Sequence, residues 1–285
     1  MKYTIIINGG RRSDPPEGSV MKTKSLLSLV AFLCILVIGV SAAPVSVAFV
    51  DGTVHVLSGN TWKLLDFDDR FDSSQTVRLA RGAVLELSAQ GGSTVAIANQ
   101  GTYIVDDLLK PRTERGAVAT VAAKLERLAQ GSKADITVAG VRGSAAVEPQ
   151  ELMWAGDGVE AEATFEEAMT AYKSGMNSEA WSLFTEAREL YQDAADPNGA
   201  ARSAWHASLA GLASGSGAKA LAALRTADPA DAGALRGSYA LALATLGARY
   251  GDTEGAKLIL EKAMASGWLD DQTMLDDAKS LLAGL

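Results

Sequence analysis

The chain of 285 residues is long enough for two modest cores, and its 48% hydrophobic content is that of a globular chain, not a disordered one. Its formal net charge is −8; residues 1–42 carry five Lys/Arg and two Asp/Glu, a net +3, so the remainder carries −11. A body that acidic repels phosphate backbones and offers no basic stripe, which argues against nucleic acid as a partner.

Residues 1–20 are polar, contain Gly and Pro, and follow no pattern. Met21 then opens a segment with a basic start (Lys22, Lys24), an apolar run from Ser25 to Val40, and small residues at Ser41-Ala42 before Ala43-Pro44. These are the three parts of a secretory signal peptide. The reading is therefore a non-native extension over 1–20, a signal peptide over 21–42 and cleavage after Ala42. The alternative is an uncleaved inner-membrane anchor over 25–40, a run at the short end of the about 20 residues a bilayer span needs. Cys34, the only cysteine, lies inside this segment. A lipidated cysteine would follow a small residue, and Leu33 precedes it. With the segment removed, the mature chain has no thiol for a disulfide, a nucleophile or a thiolate metal site.

From Val45 to Asp106, short alternating runs recur: Thr53–Leu57, Gln75–Leu79, Ala83–Leu87 and Ser93–Ile97. Asp51-Gly52, Ser58-Gly59-Asn60, Arg81-Gly82, Gly91-Gly92 and Asn99-Gln100-Gly101 punctuate them. Period-two hydrophobicity with such punctuation predicts short strands and tight turns, hence an all-β unit. A polar hinge over Lys110–Gly116 leads to a predicted helix over 117–130. Its apolar residues Val118, Val121, Ala122 and Leu125 fall at i, i+3, i+4 and i+7, and Gly131 can stop it. Strand character returns at Ile136–Val141, before Arg142-Gly143-Ser144.

In their order and spacing, these pieces resemble the periplasmic FecR domain. Val54-His55-Val56 is followed by the Trp62 hairpin, the acidic turn Asp66–Asp69 and Thr76-Val77-Arg78. Gly82–Leu87, Val95-Ala96-Ile97 and the closing Val141-Arg142-Gly143-Ser144 complete the series. The resemblance covers about 45–148 and implies a β-rich extracytoplasmic module. Its namesake relays a siderophore-uptake signal to a sigma factor. The chain departs from that arrangement in lacking a cytoplasmic anti-sigma domain ahead of the apolar segment and in its helical C-terminal half, so the fold and the compartment carry over and the iron-signalling role does not.

Beyond a linker at 149–159 the texture becomes Ala-rich and helical. Phe165, Ala168, Met169 and Tyr172 share one helix face, and a second helix starts near Glu179. The set Gly175, Ala180, Phe184, Ala187 recurs as Gly215, Ala220, Leu224, Ala227 and as Gly251, Ala256, Leu260, Ala263. This spacing resembles tetratricopeptide repeats, in which small residues mark where paired helices touch. The alanines recur after 40 and 36 residues, longer than the ideal of about 34. Thr273–Leu282 would cap the stack. The fold class is thus α+β and multidomain: an all-β FecR-like domain over 43–148, then an all-α tetratricopeptide-like domain over 160–285. The composition shift at Val147–Glu151 predicts halves that fold alone.

Few residues suggest chemistry. His55 and His206 fall in different domains with no metal-ligand spacing or nucleophile motif beside either. Asp66, Asp68 and Asp69 lack the alternate acids, Gly and terminal Glu of a calcium loop and read as a solvated turn. Arg142 reads as a structural residue, with an anion site as the lesser alternative. No catalytic, cofactor or metal residue is assigned and no cofactor is expected. The expected function is non-enzymatic: binding and scaffolding of a protein or peptide in the cell envelope, with membrane contact only through an uncleaved signal segment. Glu166, Glu167, Thr170 and Lys173, beside the buried stripe of the first helix, are the expected partner-binding residues. The rival readings are a sensor in a transmembrane signalling relay and a glycan-processing accessory gathering carboxylates such as Asp66 and Asp68.

Overall fold

The computed structural model describes residues 43–110, 116–131 and 157–285. The signal segment with Cys34, the strand at 136–141, Arg142 and the greater part of the linker lie outside the described residues.

Among the described residues, eight strands form two antiparallel four-stranded sheets. They are β1 (Pro44–Asp51), β2 (Val54–Ser58), β3 (Thr61–Leu64), β4 (Arg70–Asp72), β5 (Thr76–Leu79), β6 (Val84–Ala89), β7 (Thr94–Ile97) and β8 (Gly101–Ile104). One sheet has the order β4-β1-β6-β7 and the other β3-β2-β5-β8. The alternating apolar residues meet between them: Val45, Val47, Leu85, Leu87 and Ile97 from the first, Val54, Val56, Val77 and Leu79 from the second. A bulge in β1 between Val47 and Phe49 then shifts the register. One extra residue swaps the faces of a strand. Here it sends Val50 to the inter-sheet core and Phe49 to the other side, where its ring meets Trp181 edge-on with centroids 6.0 Å apart. β6 is buried on both faces. Leu85 and Leu87 fill the core between the sheets, while Val84 packs into the helical core and Glu86 reaches the helices through Ser216.

A single turn, α1 (Val105–Leu108), ends the β region, and α2 (Ala117–Gly131) follows. The remaining helices come in pairs: α3 (Asp157–Lys173) with α4 (Asn177–Asp193), α5 (Pro197–Ala213) with α6 (Gly217–Leu224), and α7 (Arg236–Arg249) with α8 (Thr253–Ala265). A 3₁₀ segment, Pro229–Leu235, joins the second pair to the third, and α9 (Gln272–Gly284) ends the chain. The starts are set by side chains: Asp196, Ser216, Asp252 and Asp271 each accept a hydrogen bond from an amide in the first turn of α5, α6, α8 and α9. Ala180, Ala220 and Ala256 are buried where the pairs close. At the second pair a Cβ on Gly211 would stand 2.8 Å from the Ala220 nitrogen, so α5 and α6 are in backbone contact.

The two halves differ from the expected pair of independent domains. Residues Ala43–Leu285 form one compact unit, and Val84 and Ala98 of the β region belong to the same buried cluster as Phe184, Leu221 and Leu246. The sheet meets the second helices of the first two pairs through Trp181 and α6. The Ala98 amide donates to the Tyr250 carbonyl at 2.9 Å, and Arg225 donates to the Gly82 carbonyl while pairing with Asp252 at 2.5 Å. The helix at 117–131, grouped by sequence with the β part, packs instead on α5, α7 and α9. Its stripe predicted a buried face correctly; the partners of that face lie in helices much further along the chain, from α5 to α9.

Candidate functional site

Two places among the described residues bear on ligand binding through α2. The first is a cleft of about 610 Å³ where the edge of β7, the end of α1, α2 and the turn into α8 converge. Glu86 stands in its wall, buried, accepting a hydrogen bond from the Ser216 hydroxyl at 2.5 Å. Ser216 is also the N-cap of α6, taking the Lys219 amide at 3.2 Å, so the carboxylate lies beside a helix N-terminus whose dipole favours it. Across the cleft Arg249 pairs with Glu126 at 2.6 Å. Lys110 bonds Asp107 at 2.6 Å, which raises the lysine's pKa above its ordinary value. Two carboxylates and two cations line this cleft, so its charge is balanced.

The second place is the seat of α2. Val121 packs with Leu241, Ala244 and Leu281, while Leu125 and Ala129 enter the main helical core. Lys124 bonds both carboxylate oxygens of Asp277 at 2.7 Å, and the Tyr172 hydroxyl donates to the Ala129 carbonyl at 2.6 Å. Burial pushes the Tyr172 phenol up to about 12, so it remains a donor at any ordinary pH. The seat is thus an apolar floor with a carboxylate at the helix's midpoint, a guanidinium along one side and a hydroxyl donor at the C-terminal end.

The predicted partner residues Glu166, Glu167, Thr170 and Lys173 are all exposed on α3. The Thr170 hydroxyl returns to the Glu166 carbonyl at 3.0 Å. α2 meets α3 at its own C-terminal end, through Tyr172, so these four line neither the cleft nor the stripe contact. Asp66 and Asp69 cap their own turn: the Asp66 amide donates to the Asp69 carboxylate at 2.8 Å and the Phe67 amide to Asp66 at 2.7 Å. Among the described residues no group of three His, Cys, Asp or Glu side chains is placed to hold a metal ion.

The histidines are kept apart. His55 lies on the open face of the second sheet, cross-strand from Arg78 and Leu64. His206 is buried among Phe165 and Phe184, with ring centroids at 5.2 and 5.5 Å, and its Nδ1 lies 2.9 Å from the Arg202 carbonyl. Burial drives its pKa from 6.5 down to about 4. The native state therefore holds it neutral while the unfolded chain takes up the proton first. Its contribution is complete above pH 6.5 and is lost as pH falls toward 4, a total of about 3 kcal/mol. Urea unfolding of the intact protein and of His206→Leu at pH 7.0 and 4.5 should show the parent losing about 2–3 kcal/mol more than the variant. Equal losses would remove His206 as the source.

Sequence pattern did not disclose the cross-braces. Arg202 of α5 bonds Glu162 of α3 at 2.5 Å and the Tyr191 hydroxyl of α4 at 2.6 Å, and its guanidinium lies 4.1 Å from the centroid of the Phe165 ring. Tyr191 donates to the same Glu162, and burial with that bond pushes its pKa up. Neither this cluster nor the Glu86–Ser216 pair has a local spacing signal, since each joins residues far apart in sequence.

Comparison with family models, with curated proteins and with solved structures finds no match to this chain.

Proposed function

We propose that this is a non-enzymatic binding and scaffold protein of the cell envelope, a FecR-like β module joined to tetratricopeptide-like helix pairs that hold a protein segment. One observation carries the reading: the helix pairs already accept an amphipathic helix, α2, along an apolar floor with polar contacts at its midpoint and its C-terminal end. This is the helix-in-groove mode of peptide recognition. The alternating strands and the helix-pair spacing quoted above support the two resemblances. Among the described residues no helix is long and apolar enough to cross a membrane, and the compartment rests on the segment at 21–42.

Two measurements test the reading. Expressed from Met21 in a Gram-negative host, the protein should be recovered with Ala43 as its first residue; a mass that retains the apolar segment would favour the anchored sensor. A photo-reactive side chain at Glu167 or Lys173 should cross-link a discrete envelope protein, and Glu167→Lys should weaken that capture without lowering the melting temperature. Cross-linking no different from that at Lys257, an exposed position on α8, would remove this face of α3 as the binding surface.

A further inference from the structure

We propose that α2 is a resident ligand of its seat, exchanged for a partner's amphipathic helix that carries the same stripe and the same two charges. This rests on the protein-binding reading above and specifies the partner's chemistry.

The form of α2 is that of a recognition helix. Val118, Val121, Ala122, Leu125 and Ala129 make one narrow stripe, and four of the five are buried. The helix has no acid in its first turn and no base in its last. At 15 residues it is near the length at which an isolated helix is marginal in water. The seat therefore supplies the helicity, and any incoming segment would fold as it binds.

The polar contacts specify direction and register. Lys124 meets Asp277, and Glu126, two residues on, meets Arg249. Lys124 is 42% exposed and Glu126 43%, and pairs of that kind contribute little to stability. Their value lies in selecting orientation and excluding wrong sequences. The Tyr172 hydroxyl fixes the end: it takes the Ala129 carbonyl, one of the last four carbonyls of α2, which have no partner within the helix. An exogenous occupant must accordingly present a cation, a carboxylate two residues later, apolar residues at the stripe spacing and a free carbonyl near its C-terminus. While α2 holds the seat, the affinity for such a helix is reduced by the fraction of molecules in which the seat is open.

The probe is a fluorescein-labelled peptide with the sequence of residues 116–131, added to the protein of residues 43–285. Leu125→Glu in the protein should unseat the resident helix and strengthen peptide binding by about tenfold or more. Lys124→Glu/Glu126→Arg, which leaves the apolar stripe intact and covers the case in which Leu125→Glu does not fold, should strengthen it about threefold or more. Arg249→Glu weakens the resident helix and the parent peptide alike, so binding of the parent peptide should stay about the same while a peptide carrying Arg at the Glu126 position binds more tightly. Unchanged peptide binding in the double variant, with its helical signal and melting retained, would overturn the proposal. So would a wild-type protein that dimerises with rising concentration and excludes peptide, since the occupant would then be a second copy. A partner cross-linked at Glu167 without peptide exchange would leave the binding role standing and remove the exchange.

Discussion

A chain of residues 158–285 alone is expected to be largely unfolded, or to melt far below the intact protein, although it contains every helix pair. It lacks Val121 and Leu125 on one side and Phe49 and Val84 on the other, all of which pack into the helical body. A fully buried side chain of this size contributes about 1.5–3 kcal/mol. Three of the four are buried and Phe49 is half-buried, so together they are on the order of 5–10 kcal/mol, comparable with the total stability of an ordinary domain. Far-UV circular dichroism should show a weak, non-cooperative transition, and adding a separate chain of residues 43–131 should restore the sharp one. If the fragment melts as high and as steeply as the parent, the shared core contributes nothing and the halves are independent after all.

The second large effect concerns helix closure. Gly211→Leu should force α5 and α6 apart, because a Cβ at that position already reaches the Ala220 backbone at 2.8 Å. Ala256→Trp should do the same at the third pair, where Ala256 is buried against the core holding Leu260 and Leu281. Overpacking of this kind costs about 1–3 kcal/mol, sometimes more, which corresponds to roughly 2–12 °C in melting temperature for a body of this size. Lys257→Ala, one residue away but exposed, should move it by no more than about 1–2 °C. A neutral Ala256→Trp would mean that the helices do not close at these alanines.

The contrast between Ala256 and Lys257 shows what was legible in the sequence. Period and punctuation marked β2, β5, β6 and β7, the helix at 117–131, the small residues at 180, 220 and 256, and the last helix. They missed β4, whose Arg70-Phe71-Asp72 has a strand's form only because β1 pairs with it. They missed the role of Phe49, because a bulge is a property of two strands and the alternation of one strand does not contain it. Above all, they separated α2 from its seat. A stripe at i, i+3, i+4, i+7 states that a face is buried and is silent on what buries it. The cleft was invisible for the same reason: Glu86, Glu126 and Arg249 come from three distant stretches and are neighbours only in the folded chain.

The seat also fixes an order of events while the chain is being made. α2 emerges from the ribosome long before the residues that hold it. Tyr172 follows Ala129 by 43 residues, Arg249 follows Glu126 by 123, and Asp277 follows Lys124 by 153. At ordinary synthesis rates the last of these intervals is roughly 8–30 s. Docking can therefore begin only at the C-terminal end of α2 and must advance toward its N-terminus as each helix pair arrives. Until α9 delivers Asp277, the N-terminal part of the stripe stays at least partly uncovered, so the nascent chain carries exposed apolar surface over the whole of that interval.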